Sequence, residues 1–155
     1  MAVFFVGMAV SDAYHGVNST QKEILMLANN SSLLKNALFG DSAFSFISGL
    51  AFLLFSKAIA SLLGVSASWI IPAIGVGVIV YAIEIYLAAR AEPVHMGIAR
   101  FAVYGNLVWV LGSALLIFAN LVPFSTAGKW TIAIIADVVL VFAIFQYIGL
   151  RRVAK

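Results

Sequence analysis

Asp41, Glu84 and Asp137 are carboxylic acids set inside long apolar runs, and Asn106 and Gln146 are amides in the same kind of setting. A carboxylate surrounded by hydrocarbon is costly, so each acid must be protonated, paired or in contact with water. The chemistry open to such groups is proton or cation handling, ligand binding, or hydrogen bonding between helices. Asp137 lies about 10 Å of helix rise beyond Trp130 and has no flanking base in its own segment. It is the strongest candidate for a functional or ligand-facing group. Glu84 stands six residues before Arg90, close enough to a basic boundary to favour a structural role. Asp41 and Asn106 sit about one turn inside the boundary marked by Lys35 and Arg100, where each can snorkel or bond a neighbouring helix. Asp137 and Gln146 are nine residues apart and face opposite sides of one helix.

Small and hydroxyl residues recur beside these groups at helical spacing. Ser45, Ser48 and Gly49 share a face with Asp41; Gly105, Trp109, Gly112 and Ser113 form a second stripe; Ala73, Gly77, Glu84 and Ala88 form a third. Such stripes let helix backbones approach, and hydroxyls can bridge them. The expected use is helix packing, and the alternative is a ligand crevice.

Other chemistry is missing. The chain has no cysteine, which removes disulfides, thiolate metal sites and thiol nucleophiles. Its two histidines, His15 and His95, fall outside the apolar runs, so no pair of intramembrane haem ligands exists. No H-E-x-x-H, P-loop, GxGxxG after a strand or G-x-S-x-G motif occurs. No catalytic residue, metal or cofactor is expected.

The elements that must hold these residues follow from composition. Hydrophobic residues make up 64% of 155 and charged residues 10%, too few to cover a soluble surface. Four segments have spanning length, near 37–56, 69–89, 98–120 and 130–150. In lipid each must satisfy its own backbone, so the expected class is all-α, a polytopic four-transmembrane-helix bundle. Lys22, Lys35, Arg90, Arg100, Arg151, Arg152 and Lys155 fall on one side of that topology, against Lys57 and Lys129 on the other. By the positive-inside rule both termini face the cytoplasm, and Trp69 and Trp130 mark the outer interface. With bases at span ends, the positive charge signals topology and headgroups rather than nucleic acid.

The halves resemble each other. Lys35, Gly40, Asp41, Ser48 and Leu50 align with Arg100, Gly105, Asn106, Ser113 and Leu115 at an offset of 65. Trp69, Tyr81, Tyr86 and Arg90 align with Trp130, Phe142, Tyr147 and Arg151 at an offset of 61. The pattern predicts two hairpins, 35–97 and 98–155, repeated in parallel about an axis along the membrane normal. Residues 1–34 are expected to form a cytoplasmic or interfacial lead-in, without the basic n-region of a signal peptide. Ser31 or Ser32 is a candidate N-cap for the first span.

The run LKNALFGDSAFSFISGL from Leu34 to Leu50 and the closing FQYIGLRR from Phe145 to Arg152 resemble small bacterial four-helix membrane proteins of a DoxX-like kind. The resemblance implies a bacterial inner-membrane setting and brings no activity or site residue. The functional expectation is a non-enzymatic accessory or scaffold subunit in the lipid bilayer that self-associates or joins a larger membrane complex. A small oligomeric transporter or channel using Glu84 or Asp137 is the alternative, and a lipid- or quinone-binding membrane enzyme comes third.

Overall fold

The computed structural model describes the backbone of residues 19–119 and 122–153, with side chains from Ser32 onward. Five helices follow in order: α1 (Ser19–Leu54), α2 (Ser56–Leu63), α3 (Ile70–Arg90), α4 (Met96–Phe118) and α5 (Thr126–Val153). Four of them carry stretches long and apolar enough to span a membrane, Ser32–Leu54, Ile70–Arg90, Met96–Phe118 and Thr126–Val153. The chain is an all-α four-span bundle.

α1 and α4 run in one sense, α3 and α5 in the other. α1 packs mainly on α3 and then on α5, α4 packs mainly on α5, and α3 and α4 share a much smaller contact. Close approaches are made where side chains are missing. A Cβ on Gly49 would lie 2.9 Å from the Gly75 carbonyl, and one on Gly75 the same distance from the Gly49 carbonyl. The α1–α3 contact is therefore backbone on backbone. Gly149 seats the Leu34 backbone in the same way.

Two features differ from the sequence expectation. α1 begins at Ser19 and runs unbroken through Ser31 and Ser32, so neither caps a helix. The strong helix formers Gln21 to Ala28 start it, and four weaker residues cannot stop it once nucleated. The part of the lead-in before Ser19, including His15, lies outside the described residues. The second feature is α2, an extra short helix in the link after the first span. Gly64 ends it at φ 78°, in the left-handed region that glycine enters without strain, and Val65 N–H returns to the Ala60 carbonyl.

α2 is pinned to α5. Ser125 Oγ accepts from Gly128 N–H at 2.9 Å, capping α5, and donates to the Leu62 carbonyl. Ser125 N–H bonds the Leu63 carbonyl at 2.9 Å. Trp69 and Trp130 are exposed at this end of the bundle. At the opposite end Lys35 Nζ contacts Glu92 Oε1 at 2.9 Å, tying α1 to the α3–α4 link. That contact holds the exposed Glu92 carboxyl below its ordinary pKa of 4.5. The Glu92–Pro93 peptide is cis. His95 caps α4, its Nδ1 accepting from Ile98 N–H.

Candidate functional site: a buried polar network beneath an interhelical cavity

Asp41, Asn106 and Gln146 come from three different helices, and the bundle brings them together. Asp41 and Gln146 are 0% exposed and Asn106 4%. Asn106 Nδ2 donates to Asp41 Oδ2 at 2.8 Å and to Gln146 Oε1 at 3.1 Å. Gln146 Nε2 donates to the same Asp41 oxygen at 2.7 Å. Ser45 Oγ, one turn along α1, donates to Asp41 Oδ1 at 3.3 Å.

Tyr81 of α3 completes the group. Its hydroxyl lies 2.8 Å from Asn106 Oδ1, 3.1 Å from Asp41 Oδ2 and 3.3 Å from the Ala102 carbonyl. One proton thus serves three acceptors. All four spanning helices contribute to the network. No buried side-chain nitrogen or oxygen among the described residues lacks a partner. This satisfaction makes a polar cluster tolerable at membrane depth.

The network is closed on one side and open on the other. Toward the basic end, Leu34, Leu38, Ile85, Ala99 and Ala102 form a buried apolar cluster. Toward the Trp69/Trp130 end, Ser45, Tyr81 and Asn106 form part of the wall of a cavity of about 350 Å³. Ser48, Gly77, Gly105 and Trp109 also line it. A second cavity of about 530 Å³ shares Phe52, Ile74, Gly105, Trp109 and Ile135 with the first and continues to Val65, Val122 and Phe124. The two lie where α3 and α4 stand apart. Neither wall contains a charged side chain.

The glycines explain the gap. A Cβ on Gly77 or Gly112 would meet nothing within 4 Å, so both lie against open space rather than at a helix contact. Of the stripe Ala73, Gly77, Glu84 and Ala88, the first three are exposed and Ala88 is buried; the contact face of α3 carries Ile71, Gly75, Ala82, Ile85 and Ala88. Gly49 does pack tightly, Ser45 and Ser113 are buried, and a Cβ on Gly105 would meet the Tyr81 ring at 3.4 Å.

Glu84 and Asp137 are not in the network. Both are exposed on outward faces of α3 and α5, and neither lines either of these two cavities or makes a hydrogen bond or ion pair among the described residues. The opposition of Asp137 and Gln146 on α5 is as the spacing demands. Among the described residues no three His, Asp or Glu side chains stand close enough to hold a metal.

Tyr81 is the network member that the sequence analysis did not single out as a polar site. Its signal was a phenol at the same membrane depth as Asp41 on the neighbouring span. Comparison with protein-family models, with curated proteins and with solved structures finds no match to this chain.

Proposed function

We propose that this chain is a membrane-embedded binding protein whose interhelical cavity receives a small amphipathic molecule. The carrying observation is the union of a fully satisfied polar floor, drawn from four helices, with apolar walls beside it. Ligand sites have this composition, mostly apolar with a few placed polar groups, and volumes of about 300–1,000 Å³. Gly77, Gly105 and Gly112 hold space open where alanine or leucine would have filled it. Lipid-facing or lateral entry suits a gap between two neighbouring helices that share so small a contact. The apolar cluster below Asp41 gives a through-pore no support.

A second reading, an accessory subunit that associates through its outer faces, draws on Glu84 and Asp137. A carboxylate facing acyl chains is unfavourable, and a donor from a neighbouring subunit would relieve it. The two readings are compatible.

The setting proposed is a bacterial inner membrane with the Lys35/Arg90/Arg100/Arg151 end in the cytoplasm. The parallel repeat is part of the same proposal. Gly40 lies under Phe142 as Gly105 lies under Tyr81, and Arg90 covers the Tyr86 ring as Arg151 covers the Tyr147 ring. Each pair matches its counterpart at the offsets of 65 and 61. On this reading Asp41 and Asn106 are sister positions meeting at the axis.

Native mass spectrometry of protein taken directly from its membrane tests the binding function. A bound mass that outlasts loosely held lipid, and that is lost in Gly77→Leu, is expected. Bare protein in both preparations would refute it.

A further inference from the structure

The cavity wall has unmet hydrogen-bonding capacity of one kind. Tyr81, Asn106 and Ser45 have their bonds directed inward to Asp41, Gln146 and each other. Ser48 and Trp109 line the same cavity, and neither the Ser48 hydroxyl nor the Trp109 indole N–H has a partner among the described residues. The indole nitrogen can only donate, and the serine hydroxyl carries a free proton besides its lone pairs. An occupant that satisfies both must bring an acceptor.

Charge narrows the choice further. No lysine, arginine or histidine lines either cavity, so a carboxylate or phosphate head would enter without a counter-ion. The Asp41 carboxylate is the nearest acid, but it stands behind Ser45, Tyr81 and Asn106 with its oxygens already accepting bonds. A cationic head would therefore find no exposed anion. The remaining wall of the first cavity is aliphatic and aromatic, and through Phe52 and Ile74 it continues into the second, whose polar side chains are the uncharged Ser113 and Thr131.

Resting on the binding function proposed above, the geometry points to a neutral ligand with a carbonyl oxygen on an apolar body. The oxygen accepts from Ser48 and Trp109, and the body extends from the polar floor toward the Trp69/Trp130 end. Selection works by exclusion as well as attraction, because a charged head leaves its water for a wall that cannot replace it.

Trp109 is one of three tryptophans, so Trp69→Phe/Trp130→Phe leaves it as the sole reporter inside the cavity. The protein is placed in phosphatidylcholine vesicles. Three brominated single-chain probes of equal length are added, bearing a methyl ketone, a carboxylate or a trimethylammonium head. The ketone should quench Trp109 saturably, at a mole fraction at least tenfold below that needed for either charged probe. Ser48→Ala should weaken the ketone about fivefold, the worth of one hydrogen bond. Gly77→Leu, which has room for its side chain, should remove the saturable component while the bundle stays folded. Equal saturable quenching by all three heads, or preference for a charged one, overturns the neutral-carbonyl assignment and leaves the binding function standing. Quenching that only rises linearly with each probe and ignores Gly77→Leu overturns both.

Discussion

Replacing Asp41 by leucine removes the acceptor on which the network converges, and the consequence can be worked out donor by donor. Gln146 Nε2 has no other partner, and Asn106 Nδ2 keeps only its bond to Gln146 Oε1. Tyr81 can still donate to Asn106 or Ala102, and Ser45 can turn to a carbonyl of its own helix. Two N–H groups are therefore stranded in a buried site. At about 1–3 kcal/mol for each, Asp41→Leu should destabilise the bundle by roughly 4 kcal/mol. The triple change Asp41→Leu/Asn106→Leu/Gln146→Leu strands neither group, so it should recover most of that loss despite removing more bonds. Measured membrane hydrogen bonds average only about 0.6 kcal/mol, so the contrast between single and triple changes is more telling than either value alone. Reversible unfolding in mixed micelles, followed by tryptophan fluorescence, gives both numbers. A triple variant less stable than the single one would refute the reasoning, because the network would then contribute through its bonds and not through the avoidance of stranded donors.

Three further perturbations follow from the packing and the loops. Gly75→Ala forces a methyl to within 2.9 Å of the Gly49 carbonyl and should cost about 1–3 kcal/mol, whereas Gly77→Ala meets open space and should be neutral or slightly stabilising; thermal melts in detergent check the pair. Ser125→Ala loses the α5 cap and the tie to the Leu62 carbonyl, so a loss of about 1 kcal/mol is expected, with faster amide exchange in α2 than in α3. Because Glu92 is lowered in the folded state by its Lys35 partner, its contribution to stability is present above pH 4.5 and lost as pH falls through the folded value. Glu92→Gln should flatten the pH dependence of melting below about pH 4.5 and, the pair being exposed, change little at pH 7.

The four spans were legible in the sequence because lipid demands long apolar runs, and a run is visible without knowing its neighbours. Position along each apolar run was legible too, which set Asp41, Asn106 and Gln146 within the spans. What could not be read was azimuth. In a soluble helix the apolar stripe marks the core face, but a membrane helix is apolar on its lipid face as well, so periodicity carries little direction. Hence Gly77 read as a contact residue when Gly75, two positions away, makes the contact. For the same reason Asp137 drew attention that belonged to Tyr81, whose apolar ring hides its hydroxyl among aromatic bulk. α2 escaped because its eight residues are held by Ser125, which is more than sixty positions away.

An experimental structure of protein extracted from its native membrane without added lipid would test the central claim most directly. The cavity bounded by Ser48, Tyr81, Asn106 and Trp109 should hold one ordered non-protein density, with an oxygen in hydrogen-bonding reach of Ser48 Oγ and Trp109 Nε1, and the same density should be absent from Gly77→Leu. A cavity closed by α3 moving onto α4, or filled only by an acyl chain with no polar contact to that floor, would contradict the account.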